Sequence, residues 1–273
     1  MKSELTWILL FLAITTGCGR RDFDSIQVPE KQSPPILKPV TTPVNNQVKG
    51  FYEAIPEFYY TSSEQLPAMV FLHGAAQFGN GNNDLPMLLQ EGITQLLYEQ
   101  RIPASFTSKG RSFSMIYFSP QFSSEFSESA LDNFLQFIKR NYRIDTSRIY
   151  LAGISGGGEL ACKIAADFPR TIAAVISMGG GIAEDQRQVI AQSIATNEVP
   201  IWAIHNTGDE VIPYSNSEIF LALIHQYNPT LSATLTLLPP EGPLNHDCWT
   251  RTTDPDFREN NMNIYEWALQ FQK

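Results

Sequence analysis

Short apolar runs alternate with longer amphipathic segments along the chain from residue 49 onward. The apolar runs are rich in β-branched and aromatic residues and predict buried strands at 68–73, 115–118, 148–152, 172–177, 200–205 and 234–238. The segments between them carry apolar residues at helical spacing and predict helices at 84–101, 125–142, 159–166 and 219–227, with a closing helix from 265. This order indicates an α/β fold with a mostly parallel central sheet and helices on both faces.

The first 18 residues have the pattern of a separate segment. A positive charge at Lys2 precedes an apolar stretch at 5–14 that is too short for a comfortable membrane span. Small residues and then Cys18 close this stretch, which resembles the lipobox of bacterial lipoproteins. We therefore expect Cys18 to be lipidated and the protein to be a periplasmic or surface-exposed lipoprotein of the bacterial cell envelope. An ordinary secretory signal or an uncleaved anchor would also place the body outside the cytoplasm.

Residues 19–48 have the composition of a tether. Five prolines lie there among Gln, Ser, Thr, Asn and Lys, and such a segment favours an extended, solvated chain. We expect the catalytic domain to occupy residues 49–273.

Charge and cysteine content narrow the function classes. A formal net charge of −9, with no basic cluster beyond Arg20-Arg21, argues against nucleic-acid binding. Outside the cytoplasm, Cys162 and Cys248 could form a disulfide, and two buried free thiols are the favoured alternative.

The sequence Gly153-Ile154-Ser155-Gly156-Gly157 lies between a predicted strand and a predicted helix. In that context G-x-S-x-G predicts a nucleophile elbow, a tight turn that presents the serine hydroxyl at a helix N-terminus. The alternative is a glycine-rich turn in which Ser155 caps the helix. The sequence disfavours a phosphate-binding loop because no Gly-Lys-Ser/Thr follows, and it disfavours a dinucleotide site because the glycine spacing does not fit one.

A catalytic serine needs a base, and the chain has four histidines. In α/β-hydrolases the order along the chain is serine, acid, histidine, with the histidine after the last strand. Only His246 follows the last predicted strand, so we predict that it is the base. Structural roles are predicted for His73, His205 and His225.

Asp209 is the predicted acid because it follows a strand and lies on a glycine turn. Glu210 and Asp185 are weaker candidates, and Asp209 could instead cap its turn. The backbone N–H groups of Gly156 and Ala75 are predicted to form the oxyanion hole. Trp249 either lines the substrate pocket or packs against the last helix.

The segments 70–75, 148–158, 202–209 and 246–249 together resemble α/β-hydrolases of the branch that includes feruloyl esterases, polyhydroxybutyrate depolymerases and prolyl-oligopeptidase-like predicted peptidases. The resemblance implies a serine hydrolase acting on esters, with Ser155, Asp209 and His246 as the triad and with no metal or cofactor. Two features depart from the family: Asn206 replaces the usual glycine, and Pro243-Leu244-Asn245 expands the loop before His246.

The expected function is therefore hydrolysis of carboxylic esters through an acyl-enzyme, with carbohydrate-linked aryl or acetyl esters as plausible substrates. A serine peptidase with the same triad is the nearest alternative. A non-catalytic binding protein on the same fold is a more distant one.

Overall fold

A computed structural model describes residues 33–273 of the chain. The predicted signal segment 1–18, the lipidation site Cys18 and residues 19–32 of the predicted tether lie outside this part. Within it, no helix has both the length and the apolar character needed to cross a bilayer.

The central element is an eight-stranded sheet in the spatial order β1-β2-β6-β3-β7-β8-β9-β10. β1 and β2 are antiparallel to their neighbours at one edge, whereas the six strands from β6 to β10 run parallel. The strands of the sheet are β1 (Ile36–Val40), β2 (Val48–Ile55), β3 (Leu66–Leu72), β6 (Ile116–Phe122), β7 (Ile144–Ile154), β8 (Ala174–Met178), β9 (Ile201–Asn206) and β10 (Ala233–Leu238). Two further strands, β4 (Phe106–Ser108) and β5 (Arg111–Phe113), form a separate hairpin.

Helices cover both faces of the sheet. One face packs against α2 (Glu128–Asn141), α3 (Gly156–Asp167), α4 (Glu184–Thr196) and α5 (Ser215–Tyr227). The other packs against α1 (Gly92–Tyr98), α6 (Trp249–Thr252) and α7 (Ile264–Ala268). The predicted α/β class with a mostly parallel sheet and helices on both faces is confirmed.

The two cores follow from the period of two along each buried strand. In β7, Ile149 and Leu151 enter the core under α3, whereas Tyr150 and Ala152 enter the opposite core. Both faces of β7 are buried, which explains why the strand is a continuous apolar run rather than an alternating one.

The sheet begins earlier than the sequence predicted. Residues 36–40 were assigned to the tether, yet they form β1 and pair with residues 51–55 of β2. The segment shows little hydrophobic pattern because β1 is an edge strand, and an edge strand tolerates Pro39. The boundary at residue 49 was therefore wrong.

The helix predicted over 84–101 is interrupted. A 3-10 helix at Leu85–Gln90 stops at Glu91, which is extended, and α1 starts at Gly92 with a positive φ of 61°. A Cβ on Gly92 would lie 2.3 Å from the ring of Phe71, so only glycine fits there. Packing against the sheet thus overrides the helical pattern and places the carboxylate of Glu91 at a bend.

The strand predicted to end before Ser119-Pro120 continues to Phe122 as β6. Its pairing with β3 ends at Phe118, whereas its pairing with β2 continues. Pro120 therefore lies where β6 has only one partner strand, which a proline tolerates.

Candidate active site

Ser155 lies at the turn between β7 and α3 with φ 51° and ψ −123°. Such a backbone conformation is costly for a non-glycine residue and is found mainly at functional sites. The turn is held by a 2.8 Å hydrogen bond from the N–H of Ser155 to the carbonyl of Met178. A Cβ on Gly153 would lie 2.3 Å from the carbonyl oxygen of Gly157, and one on Gly157 would lie 2.4 Å from that of Leu72. The close approach of strand and helix therefore requires both glycines.

The structure brings Ser155, His246 and Asp209 into one hydrogen-bonded series. Nε2 of His246 lies 3.0 Å from Oγ of Ser155. Nδ1 of His246 lies 2.6 Å from Oδ2 of Asp209. Because a carboxylate only accepts, Nδ1 carries the hydrogen and Nε2 is free to accept the serine proton.

Asp209 is fully buried and its carboxylate is well satisfied. Oδ1 accepts hydrogen bonds from the N–H groups of Val211 and Ile212, each at 2.9 Å. The turn residues after β9 therefore fix the orientation of the Asp209 carboxylate, which has no contact with water.

His205 makes a contact that the sequence analysis did not predict. Its Nε2 lies 3.0 Å from Oδ2 of Asp209, the same oxygen that binds His246. The contact depends on how the turn after β9 returns the Asp209 side chain over the strand, and residue spacing alone does not show this.

The two weaker acid candidates lie elsewhere. Asp185 is exposed in the first turn of α4. Oε1 of Glu210 accepts a 3.0 Å hydrogen bond from the side-chain amide of Asn245. Glu210 therefore contacts the loop that carries His246, rather than His246 itself.

The two features that depart from the family pattern, Asn206 and the expanded loop before His246, contact each other in this structure. The side-chain amide of Asn206 donates to the carbonyl of Asn245 at 3.1 Å and to that of Glu241 at 3.3 Å. The N–H of Glu210 also donates to the carbonyl of Leu244 at 3.0 Å. Asn206 and Glu210 thus fasten the expanded loop 239–245, which leads into His246.

The predicted oxyanion donors lie on either side of Ser155. Gly156 is the first residue of α3, and a Cβ on Gly74 would lie 3.8 Å from Cβ of Ser155, so the loop that carries Ala75 adjoins the serine. Within residues 33–273, neither the N–H of Gly156 nor that of Ala75 donates to a protein acceptor. Both groups are therefore available to a ligand.

His73 is buried behind this loop. Its Nδ1–H donates to the carbonyl of Gly74 at 2.7 Å, and its Nε2 accepts from the N–H of Phe122 at 3.0 Å. Burial lowers the pKa of His73 to about 4, so the ring is neutral at pH 7. These contacts agree with the structural role predicted for His73. His225 is exposed on α5, away from these contacts.

Trp249 packs against its neighbours in the core rather than lining an open substrate pocket. The indole is buried and meets the His246 ring edge to face, with ring centroids 5.1 Å apart. It supports His246 from the core side, whereas the packing alternative for Trp249 had named the last helix as its partner. The half-buried ring of Phe126 lies nearer the nucleophile, 2.5 Å from where a Cβ on Gly156 would be.

The carboxyl groups of Glu91 and Asp247 lie close enough to His246 to interact with it electrostatically. Burial raises the pKa of the half-buried Glu91, the nearby Asp247 raises it further, and His246 opposes the rise. Within residues 33–273 the carboxylate of Glu91 has no hydrogen-bond or ion-pair partner. No sequence pattern indicated Glu91, because the interruption of the predicted helix positions its carboxylate.

Cys162 and Cys248 are both free and buried, on opposite faces of the sheet. The favoured alternative of two buried thiols is the one observed. Burial raises the pKa of Cys162 to about 12, which makes its thiol unreactive at neutral pH.

The sequence was compared with known proteins. The profile of the phospholipase/carboxylesterase family matches residues 60–240. A curated relative, the bifunctional acetylxylan esterase/xylanase XynS20E of Neocallimastix patriciarum, is 30% identical over 131 residues. That match covers 48% of this chain and 16% of the relative, so the chain spans only a small part of that protein.

Solved structures with the same fold include esterases. A thermostable esterase superposes with a TM-score of 0.57 at 19% identity, covering 88% of this chain and 64% of its own. A ferulic acid esterase superposes with a TM-score of 0.55 at 15% identity, covering 78% of this chain and 93% of its own. The chain belongs to the phospholipase/carboxylesterase family of the α/β-hydrolase superfamily.

Proposed function

We propose that the protein is a serine hydrolase that cleaves carboxylic esters, with Ser155 as nucleophile, His246 as base and Asp209 as the acid that orients the base. The observation that carries the proposal is the position of His246, whose two ring nitrogens contact Ser155 and Asp209 at 3.0 and 2.6 Å. In this tautomer the imidazole can take the proton of the serine hydroxyl and become an imidazolium beside a buried carboxylate.

The reaction proceeds in two halves. Oγ of Ser155 attacks the ester carbonyl while its proton moves to Nε2 of His246, and the N–H groups of Gly156 and Ala75 bind the oxyanion. The C–O bond to the alcohol then breaks, and His246 returns the proton to the leaving oxygen. Water, deprotonated by His246, attacks the acyl-enzyme and releases the acid and free Ser155.

The surroundings of His246 favour an alcohol that carries hydroxyl groups. The carboxyl groups of Glu91 and Asp247 lie close enough to His246 to interact with it electrostatically, and a carboxylate accepts hydrogen bonds from hydroxyl groups. The ring of Phe126 adjoins Gly156 and provides an apolar surface near the nucleophile. We therefore infer that carbohydrate-linked aryl or acetyl esters are substrates, and the acetylxylan esterase named among the relatives supports this choice.

The test is labelling of the protein by a fluorophosphonate, with Ser155→Ala as the control. We expect labelling of the native protein and none of the variant, because only an activated serine reacts. The folded native protein staying unlabelled would contradict the proposal and favour a non-catalytic role.

A substrate panel then distinguishes ester from peptide hydrolysis. Acetylated and feruloylated oligosaccharides, p-nitrophenyl acetate and short peptide amides are compared by kcat/KM. We expect the highest values with the oligosaccharide esters. Faster turnover of the peptides would assign the same site to a peptidase.

A further inference from the structure

The buried carboxylate of Asp209 is shared by two imidazole rings. Oδ2 lies 2.6 Å from Nδ1 of His246 and 3.0 Å from Nε2 of His205. The side chains of His205 and Asp209 have no exposed surface, so water does not contribute to this contact. His205 and His246 therefore approach the same carboxylate oxygen of Asp209.

The surroundings of His205 determine where its hydrogen lies. Nε2 faces two acceptors, Oδ2 of Asp209 and the carbonyl of Ile212 at 2.9 Å, so Nε2 must carry a hydrogen. Nδ1 lies 2.8 Å from the hydroxyl of Ser217 on α5, which can donate to it. Burial lowers the pKa of His205, and the ring is therefore neutral with its hydrogen on Nε2.

We propose that His205 is a positioning residue for Asp209: its Nε2–H holds the carboxylate oxygen that orients His246. The inference rests on the proposed function of Ser155, Asp209 and His246. His205 itself touches neither Ser155 nor His246 by hydrogen bond.

The other donors to Asp209 show why the contact matters. The N–H groups of Val211 and Ile212 both bind Oδ1. Without His205, Oδ2 would keep His246 as its only hydrogen-bond partner among residues 33–273. The Oδ2 side of the carboxylate would then be held by His246 alone, and the orientation of the His246 ring toward Ser155 would be less firmly fixed.

Two amide substitutions separate the two nitrogens of His205. In His205→Gln the amide reaches the place of Nε2 and can still donate to Asp209. In His205→Asn the shorter side chain reaches only the place of Nδ1 near Ser217. Both variants are polar and differ by one methylene group, so urea unfolding of each variant shows how much of any difference comes from packing.

We expect His205→Asn to lower kcat by about 10–100-fold with little change in KM, because it removes a hydrogen bond to a charged group. His205→Gln is expected to retain at least about fivefold more activity than the asparagine variant. The matched control is His225→Asn, at an exposed histidine of α5, which should leave kcat unchanged. Equal losses in both variants, or wild-type rates in His205→Asn, would overturn the proposal.

A measurement of the tautomer of His205 addresses the same question without substituting His205. In protein labelled with ¹⁵N-histidine, we expect His205 as the neutral tautomer with hydrogen on Nε2, and its ring N–H resonance should shift in Asp209→Asn. A hydrogen on Nδ1 of His205, or a ring resonance that does not shift in Asp209→Asn, would refute the contact between His205 and Asp209. A protein that is not labelled by fluorophosphonate would contradict the proposed function alone, and the tautomer would still decide on His205.

Discussion

Two buried histidines at the ends of two strands support the two sides of the site in different ways. His73, which follows β3, binds backbone groups through both ring nitrogens, the carbonyl of Gly74 and the N–H of Phe122. His205, within β9, binds the side chains of Asp209 and Ser217 as well as the backbone carbonyl of Ile212. Both rings are buried, and burial lowers the pKa of both.

The difference indicates a division of labour. The oxyanion side is fixed by the backbone, because its donors are N–H groups whose positions depend on the path of the chain. The acid–base side needs side-chain contacts in addition to backbone ones, because an imidazole and a carboxylate can rotate unless neighbours hold them. Substitutions on the oxyanion side should therefore change stability first, and those on the acid–base side should change turnover first.

Asp209→Asn should have the largest effect on turnover. Oδ1 of the asparagine can still accept from Val211 and Ile212, but its amide would donate to Nδ1 of His246 and place the hydrogen on Nε2. An imidazole in that tautomer cannot take the serine proton, so we expect kcat to fall by about four orders of magnitude. Steady-state kinetics on p-nitrophenyl acetate gives the value.

Asp185→Asn is the matched control, since Asp185 is exposed on α4 and should leave kcat unchanged. Circular dichroism must show that both variants are folded. Near-normal activity of folded Asp209→Asn would transfer the role of the acid to another residue, with Glu210 the first to be examined.

His73 should make the fold sensitive to acid. Its pKa is lowered to about 4 by burial, whereas in the unfolded chain it is near 6.5. Below pH 6.5 the unfolded chain therefore binds a proton that the folded state does not, and stability falls as the pH decreases toward 4. The linkage predicts a loss of about 2 kcal/mol in the free energy of unfolding between pH 7 and pH 5.

Urea unfolding at the two pH values measures this loss, and His73→Asn removes the contribution of His73 while leaving that of His205. We expect His73→Asn to be less stable than the native protein at pH 7 by about 2 kcal/mol, because the buried N–H of Phe122 loses its acceptor. Between pH 7 and pH 5 the variant should lose less stability than the native protein does. His225→Asn should follow the native protein. An unchanged pH dependence in His73→Asn would show that other groups cause the acid sensitivity.

The sequence predicts the parts of this molecule that depend on local pattern. Ser155 was identified because glycines flank it between a strand and a helix, and His246 because it alone follows the last strand. Asp209 was chosen by its turn, and the structure brings all three within hydrogen-bonding distance.

The remainder depends on distant packing, which a local pattern does not contain. The bend at Glu91 exists because the Phe71 ring occupies the space beside Gly92. β1 is a largely exposed edge strand that contains Pro39, so its sequence does not predict a buried strand. The contact between His205 and Asp209 results from the path of the turn after β9. In the sequence, His205 looks like any other residue of a buried strand, so the contact could not be predicted.

Asn206→Ala should have the smallest effect of these substitutions, and it tests whether a residue on the acid–base side changes turnover more than stability. Its amide holds two carbonyls of the loop before His246, but its Oδ1 is buried without a partner within residues 33–273. Asn206→Ala removes the two hydrogen bonds together with this unpaired acceptor, and the freed carbonyls lie in a largely exposed loop where water can reach them. The midpoint of thermal unfolding should therefore change by only about 1–3 °C.

The loop itself would be less firmly held, and His246 follows it directly. We expect kcat of Asn206→Ala to fall by about two- to fivefold, because the ring spends less time in the orientation that bridges Ser155 and Asp209. Asn197→Ala, at the exposed end of α4, is the control and should match the native protein in both measurements. A large drop in the unfolding midpoint with native kcat would place Asn206 with His73 among the residues that hold the backbone, and would remove the distinction between the two sides at this position.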